Sequence, residues 1–233
     1  SLTMACMRIR AVCAACFLSL AMLGWLRTSP AAKDAKIPPR ILHAPSPQPD
    51  RIILTWSGAP DTTQAVTWRT DTSVRQAVSE IAAAGDGPLF RKRAKQVRAR
   101  TETYVSDLGE ALYHSVEFTG LAPASRYVYR VGDGENWSEW AHFNTASARP
   151  EPFSFAYVGD AQNEIFSMWS RVIRSAYSDA PKLKFIIHAG DLITTPDRDE
   201  QWGEWHRAAG GFNQSVPSGP VPGKHEDGEQ SAG

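Results

Sequence analysis

The sequence predicts a β-sandwich followed by the first part of an α/β domain with parallel strands. Between Arg51 and about Thr145, short β-rich runs recur at regular spacing, separated by turns rich in Gly, Pro and Asp. That is the pattern of a sandwich. After Pro150 the order becomes strand, Gly-Asp, helix, strand, Gly-Asp, helix, as a parallel α/β sheet requires. Composition fits this expectation. With 233 residues, 42% hydrophobic and 21% charged, the chain has material for one or two cores and is neither a disordered tail nor a membrane bundle. Its 25 basic residues balance 25 acidic ones, so it lacks the basic excess of a nucleic-acid binder, and no nucleic-acid partner is expected.

Residues 1–32 stand apart. They hold all three cysteines (Cys6, Cys13, Cys16) and three arginines, but no acidic residue. Without them the body has 22 basic and 25 acidic residues, net −3, and no cysteine, which excludes a disulfide scaffold or a thiolate metal site there. Met7-Arg8-Ile9-Arg10 is a cationic start, and Ala11 to Leu26 is a run of 16 residues without a charge. That run is shorter than the ~20 residues a helix needs to span a bilayer. Together with the small residues at Ser29–Ala32 it is expected to be an export signal, placing the protein in the periplasm or outside the cell. An uncleaved N-terminal anchor is the alternative, and would be the chain's only membrane contact. Residues 33–50, with Pro38, Pro39, Pro45, Pro47 and Pro49, read as an extended linker.

Residues 51–148 contain the runs Ile52–Trp56, Ala65–Arg69, Tyr113–Phe118 and Tyr127–Val131. Leu121-Ala122-Pro123-Ala124-Ser125-Arg126-Tyr127 resembles the turn-and-tyrosine signature of fibronectin type III domains, in which the tyrosine hydroxyl ties a corner between sheets. Arg91 to Arg100 places six basic residues in ten positions. With no stacking aromatic among them, they are expected to form a solvated edge strand that resists sheet-to-sheet association. Asn136-Trp137-Ser138 and Asn213-Gln214-Ser215 fit glycosylation sequons.

Residues 151–233 carry the chemistry. Phe153–Val158 reads as a buried strand ending in Gly159-Asp160, and Leu183–His188 as another ending in Gly190-Asp191. Ile165, Phe166, Met168, Trp169, Val172, Ile173 and Ala176 recur at helical spacing on one apolar face. Trp202, Trp205, His206 and Ala209 mark a second helix, with the tryptophans expected in the core. His188 and His206 are expected to pack and not to bind metal. Both aspartates follow the carboxyl ends of strands, where ligands bind in such sheets. Two neighbouring carboxylates repel unless a cation lies between them, so a hard-cation site is the physical expectation. Pro220-Val221-Pro222-Gly223-Lys224-His225-Glu226 supplies a third element.

These blocks resemble the metallophosphoesterases, specifically the purple acid phosphatases of bacterial type. That family orders an Asp after the first strand, Gly-Asp-x-x-Tyr, Gly-Asn-His-(Asp/Glu), Val-x-x-His and Gly-His-x-His behind a fibronectin-like domain. The resemblance covers about residues 45–226. It implies two metal ions (Fe, Zn or Mn), with Asp160 a terminal ligand of the first and Asp191 bridging both. It also implies that His225 steers the phosphate and protonates the departing alkoxide of a small phosphorylated substrate. Thr194 stands where the family has its iron-binding tyrosine, and Lys224 where it has the asparagine ligand of the second metal. The last two histidine blocks have no counterpart in the 233 residues. The expectation is therefore an exported acid phosphatase-like metallohydrolase of phosphate monoesters, shortened at its C-terminus and incomplete or inactive as this chain. The alternatives are a non-catalytic secreted binding protein with a degenerate phosphatase remnant, or a phosphodiesterase or nucleotidase of the same superfamily. Oligomeric state has no signature in the sequence.

Overall fold

The computed structural model describes residues 36–85 and 87–227. Eight antiparallel strands form two sheets that face each other. The first contains β1 (Asp50–Thr55), β2 (Gln64–Thr70), β6 (Gly109–Phe118) and β5 (Arg100–Ser106), in that order. The second contains β4 (Lys95–Arg98), β3 (Val78–Ala83), β7 (Arg126–Gly132) and β8 (Ala141–Asn144). Alternate residues of the inner strands point inward, and Leu54, Val66, Trp68, Phe118, Tyr129, Val131 and Phe143 fill the space between the sheets. The Tyr127 hydroxyl accepts the N–H of Ala122 at 2.8 Å, so the tyrosine closes the corner as its sequence context predicts.

The basic stretch is divided between the sheets. Pro88–Arg93 forms a 3₁₀ turn, β4 is the edge of the second sheet, and β5 is the edge of the first, with Ala99 between them. Charge thus protects two edges where the sequence suggested one. The linker is also partly structured: Pro39–Leu42 makes a helical turn, α1, and His43 is buried. Residues 1–32, and the export signal expected there, lie outside the described residues; among the described residues no helix is long and apolar enough to cross a membrane.

The third sheet is parallel and short. Its order is β11 (Ser218–Pro220), β10 (Ile186–His188), β9 (Ala156–Val158). A π-helical turn, Ile165–Trp169, leads into α2 (Ser170–Asp179) between β9 and β10, and α3 (Asp199–Ala209) connects β10 to β11. Both crossovers step the same way, which for right-handed connections puts both helices on one face; α2 and α3 do pack together. Ile165, Trp169, Ile173, Ile186, Ile193, Trp205 and Ala208 form the core beneath them.

Two sequence expectations fail here. Only Ala156–Val158 of the proposed buried strand is regular strand, and Phe153, Phe155 and Tyr157 are exposed at 57%, 48% and 71%. β9 is an edge strand, and Phe155 stacks instead on Phe185 at 5.0 Å. The helical apolar face is narrower than its spacing suggested. Ile165, Trp169 and Ile173 are buried, while Phe166, Met168 and Val172 are about half exposed, because the stripe facing the sheet is one residue wide.

The sandwich meets the helical layer through a buried ion cluster. Arg51 donates to both carboxylate oxygens of Asp199, at 2.6 and 2.7 Å, and Arg69 donates to Asp199 Oδ2 at 3.1 Å. Arg69 also grips Asp50, and the buried Tyr129 hydroxyl donates to the Gln214 carbonyl at 2.9 Å.

Candidate functional site

The loops after β9, β10 and β11 leave the same end of the parallel sheet, and each carries one block of the sequence motif. Asp160 follows β9 and Asp191 follows β10. Both adopt left-handed backbone, each with φ +52°. An aspartate tolerates that region at a cost of about 1–3 kcal/mol, and such strain gathers at functional sites. The Asp160 N–H donates to the Gly190 carbonyl at 3.3 Å, and the Gln162 N–H to the Asp191 carbonyl at 3.2 Å. The first two loops are therefore laced together by backbone.

The third loop docks onto them with no room to spare. A Cβ added at Gly190 would lie 2.7 Å from the Cα of Gly223, and one added at Gly223 would collide with the Asp191 carboxylate. Only glycines permit this approach. Glu226 then fixes it. One carboxylate oxygen accepts the N–H groups of Asp191 and Gly223, at 2.9 and 2.7 Å; the other accepts those of Leu192 and Ile193, at 2.7 and 3.0 Å. A single side chain satisfies four backbone donors across two loops. The His225 N–H donates to Asp191 Oδ1 at 3.1 Å, leaving Oδ2 of that carboxylate available.

His225 is half-buried, with Nδ1 3.0 Å from the Thr194 carbonyl. A carbonyl only accepts, so Nδ1 carries the proton and Nε2 is left as the acceptor nitrogen. Thr194, at the family's tyrosine position, is exposed and does something else. Its hydroxyl donates to the Gln162 carbonyl at 3.1 Å, while Gln201 Oε1 accepts the N–H groups of Thr194 and Thr195. Thr194 thus joins all three loops. Lys224 is exposed between Gly223 and His225. His188 lies apart from the loops, buried between Trp169 and Trp205, and burial lowers its pKa to about 4. His206 packs edge-on to Trp205.

The sequence names Asp160, Asp191, Thr194, Lys224 and His225, and the fold gathers all five on adjoining loops. It gives no role to Glu226, although that residue ends the Gly-Lys-His-Glu block, nor to Gln162 or Gln201. The Oε1 of Gln162 is buried without a partner. The donors present suit one hard cation: two carboxylates, one with a free oxygen, beside amide and main-chain oxygens. They do not suit two. Among the described residues no three His, Cys, Asp or Glu side chains gather as a metal cluster, and Lys224 offers a positive charge and no lone pair.

Comparison with known proteins places the first half of this architecture. Residues 49–145 match the sequence profile described as Purple acid Phosphatase, N-terminal domain, and the sandwich is a domain of that kind. The chain is similar to acid phosphatase type 7 of Danio rerio, with 29% identity over 186 residues, 77% of this chain and 40% of that protein. Its fold is similar to that of the purple acid phosphatase PPD1 from yellow lupin, Lupinus luteus. There the TM-score is 0.61 and the identity 19%, covering 77% of this chain and 36% of that one. The chain thus spans about two fifths of the length of these relatives.

Proposed function

We propose that this chain forms the carboxylate-bearing part of a cation-dependent hydrolase of phosphate monoesters, exported from the cytoplasm. The observation that carries the reading is the junction of Asp160, Asp191 and His225 on three hydrogen-bonded loops at one end of a parallel sheet. The relationship to acid phosphatases supports the substrate class, and the cationic start with its 16 uncharged residues supports export. In this reading Asp160 and Asp191 hold a cation that supplies charge neutralisation for a phosphoryl group. The Nε2 of His225 faces the phosphate and the departing alkoxide, its ring held in one orientation by the Thr194 carbonyl. Glu226 positions Asp191 by fixing the backbone on both sides of the crevice.

Lys224 favours a second reading, a secreted binding protein with a vestigial centre. An ammonium on the loop that docks against Asp191 would compete with a cation for the same carboxylate. At about 4 Å and an effective dielectric near 20, a unit charge repels another by about 4 kcal/mol, and a dication by about twice that. Hydrolysis of an aryl phosphate by the purified chain with Zn, Mn or Fe separates these readings from a complete enzyme. Negligible turnover is expected. Robust metal-dependent turnover abolished by Asp191→Ala would mean that these residues suffice, and would overturn the reading of a partial centre.

A further inference from the structure

A cavity of about 500 Å³ opens where β1 meets the helical layer, away from the three loops. Its wall includes four guanidinium groups, those of Arg51, Arg69, Arg174 and Arg207, and one carboxylate, Asp50. Asp199 neutralises one further charge by pairing with Arg51 and Arg69, so two positive charges remain. Arg69 is fully engaged by Asp50, Asp199 and the His43 carbonyl. Arg51 is not: its Nε is buried without an acceptor, and so is Nδ1 of His206, another lining residue. Arg174 donates Nε to the Ala208 carbonyl at 3.2 Å, and Arg207 stands 5.1 Å from the centre of the exposed Phe166 ring. Among the described residues neither enters an ion pair.

An excess of two positive charges, a buried guanidinium donor with nothing to meet it, and two exposed arginines at the mouth all call for the same missing chemistry: an acceptor carrying about two negative charges. We propose that this cavity binds a phosphate group, free or carried by a small organic molecule, at a site separate from the Asp160–Asp191 loops. Arg174 and Arg207 would close over its oxygens at the mouth, with the buried Arg51 guanidinium adding positive charge beneath them. Phe166 would flank any organic substituent.

The test is equilibrium dialysis and thermal unfolding of the full chain in inorganic phosphate, against sodium chloride of equal ionic strength. One saturable equivalent and a raised Tm are expected. Arg174→Ala with Arg207→Ala should weaken binding about 100-fold or more, since two charge-assisted hydrogen bonds are lost. Both residues are exposed, so the variant should fold. Asp160→Asn should leave phosphate binding unchanged. Tighter binding of phenylphosphonate than of phosphate would identify an organic phosphate as the occupant, and equal binding free phosphate. Absence of binding beyond the chloride control, persistence of binding in the double arginine variant, or its loss in Asp160→Asn would each overturn the proposal.

Discussion

Replacing Glu226 by glutamine changes one oxygen to an amide and leaves the shape intact. The carboxylate accepts four backbone N–H groups at 2.7–3.0 Å. Glutamine can keep its oxygen toward Leu192 and Ile193, but its NH₂ then faces the N–H groups of Asp191 and Gly223, donor against donor. Each orphaned donor costs about 1–3 kcal/mol, so the junction loses about 2–6 kcal/mol. This falls on local opening of two loops, and amide hydrogen exchange reads local opening directly. Exchange at Asp191, Leu192, Ile193 and Gly223 should accelerate by about 30-fold to 10⁴-fold, while sandwich amides such as Val66 and Val131 stay protected. Glu226→Asp keeps the charge on a shorter arm and should fall between. If Glu226→Gln leaves those four amides protected to within about threefold, the glutamate does not hold the loops together.

Asp199→Ala leaves Arg51 and Arg69 buried around a missing carboxylate, and breaking such a cluster costs about 3–5 kcal/mol. For a domain of this size Tm should fall by about 6–20 °C, and a fall under about 3 °C would contradict the coupling of sandwich to helical layer. His188 is buried with neither ring nitrogen partnered, and its folded pKa of about 4 is below the ordinary 6.5. Between those values the unfolded chain binds the proton and the folded chain does not, so stability is complete above pH 6.5 and declines as pH falls toward 4. At ~1.4 kcal/mol per pH unit the loss from this residue is at most about 3 kcal/mol; denaturant midpoints from pH 7 to 4 should decline, and His188→Phe should flatten the decline. Asn213 is buried at 2% exposure, so expression in a glycosylating host should leave its sequon bare. Sugar found on Asn213 in the folded protein would contradict the packing of that loop.

The legible parts of the fold are those whose signal is local. Alternation in Ala65–Arg69 and Tyr113–Phe118 marks strands because one face is buried and the other is not, and the Tyr127 corner spans only five residues. β11 was illegible because Ser218-Gly219-Pro220 has the composition of a turn; it becomes a strand only by lying beside β10, with the Ile186 N–H reaching the Pro217 carbonyl at 2.9 Å. The aromatic run at Phe153 misled because hydrophobicity does not say whether a strand is central or at an edge. At the candidate site the Gly-Asp pairs were visible, since glycine before aspartate at a strand end has a conformational reason. The work of Glu226 was not, because its four donors belong to loops that meet only after the sheet has formed. The Arg51–Arg69–Asp199 cluster was hidden for the same reason, its members lying 130 and 148 positions apart.

In the proposed reading the loops carrying Asp160 and Asp191 would hold one hard cation. Equilibrium dialysis of the purified chain against Mn²⁺ at neutral pH tests it by stoichiometry. The account predicts at most one weakly held, exchangeable equivalent, lost in Asp191→Ala and strengthened in Lys224→Asn, where a neutral amide oxygen replaces the ammonium. Two tightly bound equivalents in the unaltered chain, or one equivalent unaffected by Asp191→Ala, would contradict it.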